Sequence, residues 1–177
     1  KQGDNHAADR WYARMREACW QPDAITYNVL INAQAPSANW RAAVSWFEQM
    51  SRCQVRSDSF TFNSLIKVHC AARNMPSAEA WFVEMGRASM TPDIRTYGTL
   101  INGYAQLGGS AASLAKAEEW FSHMVECRIT PTVIQYNQLL AALWKAPVLG
   151  RGTRCEALLR TMVASSITPC QITLKTL

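Results

Sequence analysis

One interval in this 177-residue chain never varies. From Met15, Met50, Met85, Met124 and Met162 it is always eight residues to Asp23, Asp58, Asp93, Thr132 and Cys170. Each methionine closes a related motif: "RWYARM", "SWFEQM", "AWFVEM", "EWFSHM" and "ALLRTM". A second motif recurs with it, as "TYNVLIN", "TFNSLIK", "TYGTLIN", "QYNQLLA" and "TLKTL". The methionines lie 35, 35, 39 and 38 residues apart, as do Tyr27, Phe62, Tyr97, Tyr136 and Leu174. Such a period restricts the chain to stacked supersecondary units, none of which can bury a core alone.

The unit is two helices. Tyr27, Leu30 and Ile31 stand at i, i+3 and i+4, the spacing of a buried helix face. The Trp46, Phe47, Met50 stripe and its equivalents are read as core of the second helix. Length variation is expected in the turn between the two, at "LGGSAAS" and "APVLGRGT", where Gly and Pro gather. The expected fold is an all-α, right-handed α-solenoid of antiparallel helix pairs, with first helices concave and no β-sheet. About four full repeats run 24–58, 59–93, 94–132 and 133–170. Residues 8–23 form a second helix alone, and 171–177 begin another first helix. The chain opens without Met, signal or transit segment, which suggests an internal piece of a longer one.

First helices carry a second pattern. Positions two, five and nine fall nearly opposite the apolar face. They read Ile25, Asn28, Asn32; Phe60, Asn63, Lys67; Arg95, Gly98, Asn102; and Ile134, Asn137, Ala141. Asparagine is a poor helix-interior residue, so its aligned recurrence asks for a reason. First-helix segments lack Asp and Glu but hold Lys67, Arg73, Arg95, Lys145 and Lys175. Amides and cations without acids suit a nucleic-acid strand, and the net charge of +5 agrees.

Other functions find less support. No apolar run approaches the roughly 18 residues of a membrane span. Six cysteines include no C-x-x-C and no Cys/His cluster, so neither zinc nor another cofactor is indicated, and unpaired thiols are expected. His6, His69 and His123 are scattered, and no acidic cluster suggests metal-assisted catalysis.

The "TYN-LI" opening, the "WF--M" second helix, the Pro-Asp close and the 35-residue unit resemble the pentatricopeptide repeat family over almost the whole chain. The resemblance implies an organellar protein (mitochondrial or plastid), not an enzyme, that binds single-stranded RNA one base per repeat. It implies that the fifth and last residues read bases and that the second clamps them. Asn28 with Asp58, and Asn63 with Asp93, then imply uridine at the first two full repeats. Ile25, Phe60, Arg95 and Ile134 become clamps. Lys67, Arg73, Lys145 and Lys175 become phosphate or groove contacts.

Gly98 with Thr132 leaves the third full repeat without a reading side chain. Asn137 with Cys170 implies at most a weak pyrimidine preference. Asp23, Asp58 and Asp93 also suit simple helix N-caps. Two functions stay open: an RNA-binding adaptor, and a structural subunit of a large organellar assembly such as a ribosome, held by protein or folded-RNA contacts.

Overall fold

The computed structural model describes residues 3–171 and 173. Among these there are nine α-helices and no strand. In chain order they are α1 (Gly3–Glu17), α2 (Ala24–Ala33), α3 (Trp40–Arg52), α4 (Ser59–Ala71) and α5 (Met75–Arg87), then α6 (Ile94–Leu107), α7 (Ala111–Glu126), α8 (Val133–Lys145) and α9 (Arg151–Ala164). Two compact parts result, residues 1–92 with α1 to α5 and residues 93–177 with α6 to α9. Within the first, α2 packs on α1, α3 and α4, and α4 on α3 and α5. Within the second, α8 packs on α6, α7 and α9. The helix α1 begins at Gly3, ahead of the expected start at residue 8.

The aromatic stripes are packing, as their spacing implied. Met50, Met85, Met124 and Met162 are fully buried. Each such side chain contributes about 1.5–3 kcal/mol by leaving water. Aromatic edges meet faces across helices, with Phe47 and Trp81 at 5.0 Å, Tyr12 and Trp46 at 4.8 Å, and Phe121 and Tyr136 at 5.1 Å.

The constant eight-residue interval has a hydrogen-bonding cause. After each second helix one residue turns left-handed: Cys19, Gln54, Ser89, Arg128 and Ser166. The next N–H then bonds back to the methionine carbonyl, from Trp20 at 2.9 Å, Val55 and Met90 at 3.0 Å, and Ile129 and Ile167 at 3.1 Å. This closure satisfies carbonyls that a helix end leaves open and fixes where the chain leaves. The following first helix is capped at once, by Asp23 on Thr26, Asp58 on Thr61, Asp93 on Thr96 and Thr132 on Ile134.

All six cysteines are free thiols. Two of them accept from the tyrosine at the fourth position of the same repeat, Tyr27 to Cys53 at 3.3 Å and Tyr97 to Cys127 at 3.4 Å. Tyr136 meets Ser165 at 3.4 Å in the same way. The repeat that has Phe62 instead, with no hydroxyl, has Ala88 at the equivalent place.

One expectation is corrected. The four extra residues of the third full repeat do not lengthen the turn, because residues 108–110 are as short a connector as 72–74. Instead α7 has 16 residues where α5 has 13, and α6 has 14 where α4 has 13. Gly108 and Gly109, both at positive φ, make the turn, and the Ala-rich residues after them extend α7 by about one helical turn at its N-terminus.

Two stability predictions follow from local strain and burial. Ser89 is exposed and left-handed at φ 58°, so Ser89→Gly should stabilise the fold by about 0.5–1 kcal/mol, the relieved strain less the added entropy of glycine. A urea midpoint that fails to rise would contradict this. His69 is buried between Trp40 and Trp81, and neither ring nitrogen has a hydrogen-bond partner among the described residues. Burial holds its pKa below the ordinary 6.5. The unfolded chain therefore takes a proton that the folded chain resists, and stability falls as pH drops below about 6.5. His69→Leu should remove that component, read as a flatter difference in stability between pH 7.5 and 5.5.

Candidate nucleic-acid interface

Asn28 lies where α2 meets the start of α4. It is 6% exposed, so it is not the open groove-lining residue that the helical face suggested. One N–H of its amide is shared between both oxygens of Asp58, with the nitrogen at 3.1 and 3.2 Å. Its amide oxygen accepts from the Thr61 hydroxyl at 2.6 Å. That hydroxyl also lies 2.9 Å from Asp58 Oδ1, and its single proton goes to the shorter contact. With a carboxylate on one side and a hydroxyl donor on the other, the amide has one orientation. It keeps one N–H donor for an outside partner.

Asp58 therefore has two tasks. Its carboxylate caps α4 through the Thr61 N–H at 2.8 Å and holds Asn28 at the same time. Burial opposes its ionisation, but hydrogen bonds from the Thr61 N–H, Asn28 and the Phe60 N–H outweigh it and lower its pKa below 3.8. One side chain thus caps the helix and holds the Asn28 amide.

The second part repeats the arrangement with a weaker partner. The Thr173 hydroxyl donates to Asn137 Oδ1 at 2.7 Å, and Asn137 Nδ2 faces Cys170 Sγ at 3.6 Å. A neutral thiol is a weak acceptor, so the hydroxyl is the stronger hold on this amide. Asn137 and Lys145 also line a cleft of about 360 Å³ between α6 and α8, with Asn102, Gln106, Ile134 and Gln138. Gln138 Oε1 is buried with no partner among the described residues.

Two solved-structure comparisons and two family models bear on this geometry. The PPR repeat family model matches residues 22–71 and 57–106, and the pentatricopeptide repeat domain model matches residues 1–35 and 82–145. The chain belongs to the pentatricopeptide repeat family.

Its fold is that of the family's α-solenoids. PPR10 in complex with an 18-nt psaJ RNA element is 21% identical with a TM-score of 0.82, over 95% of this chain and 24% of that one. The PPR domain of Arabidopsis thaliana protein-only RNase P 1, in complex with tRNA, is 21% identical with a TM-score of 0.75, over 98% and 88%. This pentatricopeptide repeat chain thus spans 24% of the length of PPR10. Compared by sequence with curated proteins, it has no significant match.

The remaining candidates are placed as follows. Ile25, Phe60 and Ile134 are 71%, 47% and 59% exposed, large apolar side chains recurring at one repeat position. Arg95 and Lys145 are exposed. Lys67 is exposed but donates to Asn32 at 3.0 Å, which gives that asparagine a role the sequence did not show. Arg73 sits in the connector after α4. Asn63 is half-buried on α4, and Asp93 caps α6. Lys175 lies outside the described residues.

Sequence reasoning missed Thr61 and Thr173. The available signal was threonine at the third position of four repeats: Thr26, Thr61, Thr96 and Thr173.

The lowered pKa sets a test. Asp58 contributes stability above its unfolded pKa, near 3.8, and loses it as pH falls through the lower folded value. Asp58→Asn should be less stable than wild type at pH 7, and the gap should narrow below about pH 4. Chemical denaturation at several pH values measures it, and a gap independent of pH would refute the linkage.

Proposed function

We propose that the chain binds single-stranded RNA on its first helices and reads bases one per repeat, preferring uridine at the first two full repeats. The pinned amide of Asn28 carries this reading. It is held with an N–H donor to spare, on two helices whose second positions are the exposed Ile25 and Phe60. An N–H donor complements the O4 acceptor of a uracil-type base, and exposed rings and aliphatic chains offer surfaces for stacking. RNA occupies two of the solved structures that the chain resembles. The role is that of an adaptor in organellar RNA processing, in mitochondrion or plastid, by family resemblance. Catalysis is assigned to no residue, and among the described residues no cluster of His, Cys, Asp or Glu could hold a metal.

A second reading, a structural subunit of a large assembly, is favoured by the scarcity of cations. Among the described residues the first helices carry only Lys67, Arg95 and Lys145 as Lys or Arg, and Arg73 sits in a connector, so few charges are available for phosphates. Salt dependence separates the two. If about three cations meet phosphates, the log–log salt slope should be near about −2, and affinity about micromolar or weaker. Asn28→Ala should cost about 1–3 kcal/mol on a U-containing strand and nothing on strands of A and C alone. Equal loss on every strand would remove Asn28 as a reader. No binding even at low salt would favour the structural subunit.

A further inference from the structure

Two exceptions to the repeat concern residues that meet in space. Threonine stands third in the repeats beginning at 24, 59, 94 and 171, but the one beginning at 133 has Gln135. Asparagine stands fifth in those beginning at 24, 59 and 133, but the one beginning at 94 has Gly98. A Cβ built on Gly98 would lie 2.8 Å from Gln135 Nε2. The carboxamide of Gln135 therefore fills volume that a fifth-position side chain would claim. Its depth is also the reader's depth, since Gln135 is 5% exposed and Asn28 is 6%.

Its orientation is fixed by the helix cap. Gln135 Oε1 accepts from the Thr132 N–H at 3.0 Å and from the Thr132 hydroxyl at 2.7 Å. Both lone pairs are thereby used, and turning the amide over would set its NH₂ against a backbone N–H. Nε2 is left with its N–H donors, as Asn28 keeps one N–H after Asp58 has taken the other.

The geometry points to Gln135 as the base-reading residue of the third full repeat, supplied by the next helix in place of the side chain that Gly98 lacks, and selective for bases with a keto oxygen. Uracil and guanine present O4 and O6 as acceptors, whereas cytosine and adenine present amino donors there. This rests on the RNA reading proposed above. It replaces the expectation of a repeat indifferent to its base, and it makes Gly98 a required partner: only a residue without Cβ leaves room for the glutamine.

The test uses the full chain and short strands of the form XUUX, with X as U, G, A or C, so that either strand direction offers the test base beside two uridines. Fluorescence anisotropy at low salt should show X as U or G bound about five-fold tighter than A or C, the fold-change of one neutral hydrogen bond. Gly98→Ala should push the flexible amide aside and erase that preference. Its thermal midpoint should not fall, because alanine favours helix over glycine. Gln135→Glu keeps an oxygen for the Thr132 cap but exchanges the donor for an acceptor, and should move the preference towards A and C. Wild-type binding that is blind to X, or a preference that survives Gly98→Ala, would overturn the assignment while leaving uridine reading by the first two full repeats standing. Failure to bind any of the strands would overturn both.

Discussion

The bond from a backbone N–H to the methionine carbonyl at the end of each second helix governs the rest of the molecule. It is made five times, always five residues after the acceptor, and it fixes the exit of the chain. Three residues later the next helix is capped. The capping side chain thus arrives at a fixed place beside the first helix of the preceding repeat, which is why the Asp58 carboxylate meets Asn28 and the Cys170 thiol meets Asn137. Variation elsewhere does not reach this junction. The helix α7 gains a turn at its far end, while Met124 and Thr132 keep their separation.

The same closure gives two of the six cysteines a structural role. Cys53 and Cys127 stand three residues after a methionine, where a tyrosine hydroxyl needs a partner, and Ser165 serves equally well. Phe62 and Ala88 drop hydroxyl and acceptor together. A buried hydroxyl without a partner costs about 1–3 kcal/mol, so donor and acceptor vary as a pair although they are distant in sequence.

Helix type, order and core were legible because apolar residues recur at helical spacing five times over. The length of α7 was not, because the glycines mark where a turn begins but Ala111, Ala112 and Ser113 do not say whether they belong to it. The amide positions on the first helices were legible as a pattern, but their environment was not. A helical wheel treats one helix alone, and on it Asn28 faces away from the core. In the fold the following repeat closes over it, through a threonine 33 residues away. Nothing local in the sequence announces a partner at that distance. The coupling of Gly98 to Gln135 escaped for the same reason, since each looks like an isolated departure until the helices are adjacent.

Because one carboxylate both starts α4 and braces Asn28, the proposed unit of recognition is out of phase with the unit of folding. A graft of residues 24–58 would carry Asn28 and Asp58 into a new array but leave Thr61 behind, and with it the hydroxyl that orients the amide. A cassette cut from Asn28 through Thr61 carries the amide, the carboxylate and the hydroxyl together. Recombination or design that respects helix ends alone would shuffle half-sites; cut within the first helix, it would shuffle whole ones.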